Sequence, residues 1–383
     1  HVKDGFSIEL VASEPLVMDP VAFDWGPDGR LWVVEMRDYP NGLTWNGLDD
    51  PLHAPGGRVK VLTDLDGDGQ YDKAEVFLDN LPYPTGVKVW DKGILITAAP
   101  NIIYAEDTDG DDKADHEEIW YEGFAKSNQQ HRVNGLAWGL DNTLHVANGD
   151  GGGVILSKET RDEVDIRGND LRIDPFTKAH EPLSGRTQCG RFRDDWGNWF
   201  GCNNSNPLWH YPMKYSLLKR NDAVSPPSAT VSVPIEPGAS PVFPVSETLE
   251  RFNQPDRANR FTSVCGPTIF RDSSFGASFE GNVFICEPVH NLVSRQVVNP
   301  NGATFTSERA FDEKDSEFLA STDNWSRPVA VRTGPDGALW VADMYRLVIE
   351  HPEWIPLEFQ EKYDLRAGSD LGPVSYTHLR AHA

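Results

Sequence analysis

Apolar and polar residues alternate with a period of two, in short runs separated by turn residues, along most of the chain. Val21-Ala22-Phe23-Asp24-Trp25 and Arg30-Leu31-Trp32-Val33-Val34-Glu35 flank Gly26-Pro27-Asp28-Gly29. Proline fixes φ and glycine accepts positive φ, so the stretch predicts a hairpin of two half-buried strands. The plan recurs at Thr85-Gly86-Val87-Lys88-Val89-Trp90 with Ile94-Leu95-Ile96-Thr97-Ala98, and within residues 129–150 around Gly139-Leu140-Asp141-Asn142. A less regular copy runs from Asp195-Trp196-Gly197-Asn198-Trp199-Phe200 towards Leu208-Trp209. A fifth joins residues 265–270 to 282–287, and a sixth joins 328–332 to 338–343 through Gly334-Pro335-Asp336-Gly337.

Hairpins repeating at roughly 50–70 residues signal a radial array, with insertions beyond the ~40–45 residues of a minimal blade. Residues 58–62 and 170–173 offer further strands, and Gly5-Phe6-Ser7-Ile8-Glu9-Leu10-Val11 offers an edge strand to close a ring. The expected fold is all-β: a six-bladed β-propeller with four-stranded antiparallel blades, forming one domain over residues 1–372. A sandwich with coincidental turns is the alternative. Residues 220–260, with Ser225-Pro226-Pro227-Ser228 and Pro234-Ile235-Glu236-Pro237-Gly238, break the pattern and predict a long excursion or lid. After Arg346 the chain reads as helical or irregular. Residues 374–382 resemble adapter sequence translated at the end of a gene fragment, so 373–383 are expected to be a non-native tail.

Hydrophobic residues at 39% and charged residues at 25% describe a globular chain. Acidic residues outnumber basic ones, 59 to 35, for a formal charge of −24. A phosphate backbone would be repelled, which excludes nucleic-acid partners. No apolar run approaches the roughly 20 residues of a membrane helix. The balance suits a periplasmic or extracellular protein whose leader is absent from this chain, which begins at His1.

Part of the acidic excess sits in two loops. Asp64, Asp66, Asp68, Gln70, Asp72 and Glu75 take positions 1, 3, 5, 7, 9 and 12 of a calcium loop, with Gly69 at the sharp turn. Asp107, Asp109, Asp111, Lys113, Asp115 and Glu118 repeat the spacing, but Asp112 replaces glycine at position 6. The flanks read as strands, which predicts structural calcium on the outer parts of two blades. A solvated acidic turn is the alternative.

In a propeller, the loops before each innermost strand and after each second strand share one face. The residues so placed are Glu35, Arg37 and Tyr39; Asn101; Gln130, His131, Arg132 and Asp150; Arg193, Asp195 and Asn198; Glu287, His290 and Asn291; and Trp325, Arg327, Asp343, Tyr345 and Arg346. Their expected convergence offers a base in His131, cations for an anionic ligand, and carboxylates for sugar hydroxyls. Each taken singly has the alternative of a rim group or structural ion pair. Cys189, Cys202, Cys265 and Cys286 form no CxxC, leaving disulfides or buried thiols open, with Cys265 as a candidate nucleophile.

The segment carrying His131, Leu136, Gly139, Asp141, Leu144, Gly149 and Asp150 resembles the H-x-x-G-R-L-x-x-G-P-D-x-x-L-Y-x-x-x-G-D blade of soluble glucose and aldose (sorbosone-type) dehydrogenases. Those are six-bladed propellers that use pyrroloquinoline quinone (PQQ) and calcium. Most of the chain is also similar to a bacterial group labelled membrane-bound dehydrogenases, whose larger members carry haem-c domains. The resemblance implies that His131 removes a hydroxyl proton, and that Arg327 contacts the quinone. It also implies a haem-c electron acceptor, as an added domain or separate protein. The family's Gly-Arg pair is replaced by Asn134-Gly135, and its Arg-Asn-Pro-Gln-Gly segment by Gly197-Asn198-Trp199-Phe200-Gly201, with Arg193 or Arg132 as substitutes for the missing arginine.

The function expected is a sugar or alcohol oxidoreductase using PQQ. His131, Arg132, Asp195, Asn198 and Tyr345 are its catalytic candidates; Arg37, Gln130, Arg193, Glu287, His290, Arg327 and Arg346 are its cofactor-binding candidates. The alternatives are a carbohydrate lyase, a glycoside hydrolase using two of Glu35, Asp195, Glu287 and Asp343, or a non-catalytic carbohydrate-binding propeller.

Overall fold

A computed structural model describes residues 1–40, 42–43, 49–221, 223–236, 238–247, 255–351 and 354–362, and the backbone of 376–382. Its strands form a β-propeller of antiparallel sheets. Blade one holds Pro20–Trp25, Leu31–Glu35, Gly57–Thr63 and Lys73–Leu81. Blade two holds Gly86–Trp90, Gly93–Ala98, Asn101–Glu106 and His116–Phe124. Blade three holds Asn134–Trp138, Leu144–Ala147, Asp170–Ile173 and His180–Leu183. Between its second and third strands it sends out Gly153–Ser157 and Glu163–Asp165, which extend the outer edge of blade two.

Blade four is short-stranded: Phe192–Arg193, Trp199–Gly201, Trp209–His210 and Val231–Ser232. Blade five holds Cys265–Ile269, Val283–Glu287, Leu292–Asn301 and Thr304–Arg309. A further sheet combines Pro328–Thr333 and Leu339–Asp343 with strands from both chain ends, Tyr376–His382 and the outermost Ser7–Ser13. Five blades, where six were expected, therefore come mainly from successive stretches of chain; the remaining sheet is composite and includes a strand from the stretch expected to be a tail.

Side chains bury between sheets. Val34, Val61, Ile94 and Ile96 join blades one and two; Leu95, Trp120, Leu136 and Val146 join two and three. Phe200, Leu208, Ile269 and Ile285 join four and five. Phe284, Val293, Val331 and Val341 join five to the composite sheet, and Phe23, Leu31, Trp340 and Ala342 join that sheet to blade one. Second strands such as Leu31–Glu35 and Gly93–Ala98 are buried along their whole length, because a neighbouring blade covers each face. That explains their continuous apolar runs.

Blades three and four meet differently. His145 stacks on Trp199, ring centroids 3.6 Å apart, and the Arg191 guanidinium lies over Trp199 and Tyr211 while pairing with Asp170 at 2.5 Å. Burial, reinforced by Arg191, Arg172 and Arg193, pushes the His145 imidazole far below its ordinary range, so it packs as a neutral ring.

The excursion is not a lid in its described part. Val231–Ser232 is the outer strand of blade four, and Val233 and Val242 are buried between blades four and five.

Candidate functional site

Innermost strands run from one face, here called the mouth, to hairpin turns on the other. In three of those turns an aspartate accepts from the backbone two residues on: Asp28 from Arg30, Asp141 from Thr143 and Asp336 from Ala338. Gly29, Asn142 and Gly337 supply the positive φ.

A cavity of about 410 Å³ occupies the mouth. Its wall takes one residue at or just before each innermost strand: Val21, Thr85, Asn134, Cys189, Cys265 and Val329. Met36, Val289 and Met344 add apolar surface, and Gln129, Gln130, Gln188 and Asn204 add amides. Its cover is the segment after the last hairpin, where Ile349, Glu350 and Trp354 line the cavity. Gln130 Nε2 donates to the Ile349 carbonyl at 2.8 Å and to Tyr39 Oη at 2.7 Å, fastening cover to wall.

Arg132 is the cation of the described wall, and it is 1% exposed. Nη2 donates to Asp49 at 2.6 Å, Nε donates to the Ser127 carbonyl, and the guanidinium lies 4.9 Å from the Tyr83 ring centroid. Gln129 Nε2 donates to the same Asp49 oxygen at 2.6 Å. Arg132 Nη1 is buried with no hydrogen-bond partner among the described residues. The orphaned nitrogen is closed off within the wall, and the guanidinium charge is met by Asp49.

His131 ends a single 3-10 turn, Gln129–His131, capped by the Asn128 side chain accepting from Gln130 N. Its Nδ1 lies 3.6 Å from Asp150 Oδ2, ion-pair range but not a hydrogen bond, and its Nε2 lies 3.1 Å from the Gln188 amide nitrogen. A Gln188 N–H pointing at Nε2 makes that nitrogen the acceptor and puts the ring proton on Nδ1, towards Asp150. Burial lowers the imidazole pKa and Asp150 partly restores it, while Arg186 lowers it further. The ring is not among the cavity-lining residues; it lies against the wall residue Gln188, between Gln130 and Arg132 in the chain.

Several expected site groups hold the blades together instead. Glu35 accepts from Met18 N at 2.8 Å and pairs with Arg58 and Lys60. Glu287 accepts from the Thr262 and Ser263 N–H groups, the Ser263 hydroxyl and His290 Nδ1, while His290 Nε2 accepts from Asn259 N. Asp343 accepts from Arg327 N, Tyr345 N and the Ser326 hydroxyl. Each carboxylate ends a second strand and fixes the backbone leading into its own blade. No pair of these is left free for glycoside hydrolysis.

The arginines are similarly engaged. Arg327 donates to the Pro288, Arg346 and Leu347 carbonyls, which hold the cover rather than a ligand. Arg346 pairs with Asp19 at 2.6 Å. Tyr345 donates to Asp323 at 2.8 Å. Arg37 lies near Lys60, whose pKa falls through burial and then through neighbouring cations. Arg193, Asp195 and Asn198 lie at the far end of blade four, where Asp194 accepts from Trp196 N and Asn198 N and closes the turn. Taking this turn for a strand placed those three on the wrong face. The same shift hid Gln188, Cys189 and Asn204, which precede or follow the short strands at the mouth.

Both aspartate loops lie on the face away from the mouth, between third and fourth strands. Asp64, Asp66 and Asp72, and likewise Asp107, Asp109 and Asp111, bring carboxylate oxygens within 4.8 Å of one another. Asp64 accepts from Gly67 and Gly69, and Asp107 from Gly110 and Asp112, which pre-shapes each loop and lowers both pKa values. Asp68 accepts from Gln70 N. Lys73 pairs with Glu75, Lys113 with Asp111; Asp115 accepts from Thr108, and Glu118 from the Trp120 indole. Asp112 adopts φ +66° and pairs with Arg30 at 2.5 Å, so its departure from glycine ties two blades together.

The molecule is thus a β-propeller with a covered, amide-lined cavity at one end of its axis. Residues 1–375 match a family described only as a domain of unknown function, DUF7133, and the chain belongs to it. The sequence matches none of the curated proteins. Among solved structures, a Trichoderma reesei protein described as carbohydrate-active enzyme family AA12 is 12% identical, covers all of this chain and 97% of its own, and gives a TM-score of 0.56. An oxidoreductase from Thermus thermophilus described as a glucose dehydrogenase is 15% identical over 98% of this chain and all of its own, with a TM-score of 0.53. The PQQ-bound aldose sugar dehydrogenase of Streptomyces coelicolor is 13% identical over the whole of both chains, TM-score 0.51. At these identities the likeness fixes the fold. No helix among the described residues is long and apolar enough to cross a membrane.

Proposed function

We propose that this protein is a sugar or alcohol oxidoreductase of the quinoprotein type. The carrying observation is the cavity at the mouth, with Arg132 as the cation of its described wall. A cation in that wall suits an anionic ligand in the mouth. The volume falls within the range of about 300–1,000 Å³ typical of small-molecule sites. Apolar surfaces from Met36, Val289 and Trp354 suit a flat ring, and the amides of Gln129, Gln130, Gln188 and Asn204 suit its oxygens. PQQ would fit this set, with Arg132 as the cation to meet its carboxylates; when bound it would supply the two-electron acceptor. The relatives described as PQQ-bound aldose sugar dehydrogenase and as glucose dehydrogenase support the same choice.

His131 would take the hydroxyl proton at Nε2, once a substrate oxygen displaces the Gln188 amide. Asp150, 3.6 Å from the other nitrogen, would steady the positive ring that results. The cover residues Ile349 and Trp354 exclude water. The two aspartate loops are proposed to hold calcium, bracing blades one and two away from the chemistry. A periplasmic or extracellular location and a haem-c electron acceptor complete the proposal, with residues 1–372 as one domain and 373–383 as a non-native tail. The test is reduction of an artificial dye by aldoses and small alcohols after adding PQQ. No reduction with any of them, despite bound PQQ, refutes it.

A further inference from the structure

All four cysteines gather where blades four and five meet the cavity, although 97 positions separate the first from the last in sequence. They are free thiols. Cys202 and Cys286 are fully buried, and the Cys202 thiol donates to the Cys189 carbonyl at 2.9 Å. Cys189 and Cys265 are partly exposed and line the cavity. The residues that follow them press the two blades together: a Cβ on Gly190 would stand 3.4 Å from Gly266 Cα and 3.2 Å from Pro267 Cδ. Both glycines have positive φ, +74° and +49°. That approach puts Cys189 and Cys265 on adjoining backbone, and their thiols are within hydrogen-bonding reach of each other, the proximity a disulfide requires.

We propose that Cys189 and Cys265 form a reversible disulfide in the cavity wall, with small peroxides as the oxidant. The Cys189 thiolate attacks a peroxide oxygen, an S–O bond forms as the O–O bond breaks, and the departing alkoxide or hydroxide takes a proton. Cys265 sulfur then attacks Cys189 Sγ, the S–S bond forms, and the S–O bond breaks to release water. Two thiols and one peroxide give one disulfide, one alcohol or water, and one water. Sulfur loses two electrons and peroxide gains them. The hydrogen bond from Cys265, with help from the Gly266 N–H and the Arg332 charge, lowers the Cys189 pKa against burial, while Cys265 is raised, so the attacking and resolving roles are already divided. Neither thiol has a part in the proposed oxidation of sugars.

The experiment treats the full chain with hydrogen peroxide, alkylates remaining thiols after denaturation, and maps the peptides by mass spectrometry. The expected result is loss of two thiols together, a peptide bridged between Cys189 and Cys265, and full recovery with dithiothreitol. Cys202→Ser should give the same bridge, and Cys189→Ser should leave Cys265 reduced. A Cys265–Cys286 or Cys189–Cys202 bridge, sulfinic acid on one cysteine without a bridge, or four unreacted thiols in the folded wild type would each overturn it. The wild-type map decides the matter even if a variant fails to fold.

Discussion

His131 Nε2 lies 3.1 Å from the Gln188 side-chain amide, while Nδ1 faces Asp150 at 3.6 Å. One nitrogen therefore faces Gln188, a residue of the cavity wall, and the other a carboxylate. Replacing His131 with alanine should lower kcat by about 10²–10⁴-fold while ligand affinity stays near wild type. Stopped-flow dye reduction and a parallel ligand titration separate the two effects. An equal loss in both would make His131 a binding group only.

The pH profile follows from the same pair. Burial holds the His131 pKa below its ordinary 6.5, so the ring is neutral at neutral pH and able to accept a proton. The rate should fall on acidification with a limb below the ordinary imidazole value. Asp150→Asn removes an interaction that raises that pKa, so the limb should move to still lower pH. A limb moving to higher pH would contradict the assignment.

Glu287 anchors the lead-in to blade five through Thr262, Ser263 and His290. Glu287→Ala leaves several buried groups unpaired and should cost on the order of 3 kcal/mol. Urea unfolding measures it. Asn198→Ala, on the far face, should leave ligand binding unchanged.

The hairpins around Pro27-Asp28-Gly29 and Pro335-Asp336-Gly337 were legible because turn chemistry and alternation are local. So were the wall residues Gln130 and Arg132, which flank His131 on its turn. Blade four was not: its strands are two or three residues long, too short to show a period, and Asp194 closes the turn where Trp196-Gly197-Asn198 had read as strand. Nor does sequence say whether a carboxylate at a strand end faces a cavity or a backbone N–H. Glu35, Glu287 and Asp343 look alike in either role.

Asp343 is raised from 3.8 to about 6, chiefly by burial, against hydrogen bonds from Ser326, Arg327 and Tyr345. A carboxyl whose folded pKa is raised adds stability below its unfolded pKa and loses it as pH rises through the folded value. Stability should therefore fall between about pH 4 and 6, by on the order of 3 kcal/mol from this group. Asp343→Asn should flatten that part of the urea-midpoint curve. An unchanged slope would remove Asp343 as its source.

Calcium at the two aspartate loops should raise Tm, equivalent to about 2.7 kcal/mol when free calcium is about 100 times Kd at one site. Asp64→Ala and Asp107→Ala should each remove part of the gain in differential scanning calorimetry. An identical Tm in chelator and in calcium would show two solvated turns.

The most direct measurement is a titration of the purified protein with PQQ, following quenching of tryptophan fluorescence, since Trp354 lines the cavity. Saturable quenching with one site per chain is expected, weakened about tenfold or more in Arg132→Lys, which keeps the charge but loses the fork. Linear, unsaturable quenching, or saturation indifferent to Arg132, would contradict an anionic quinone in this mouth.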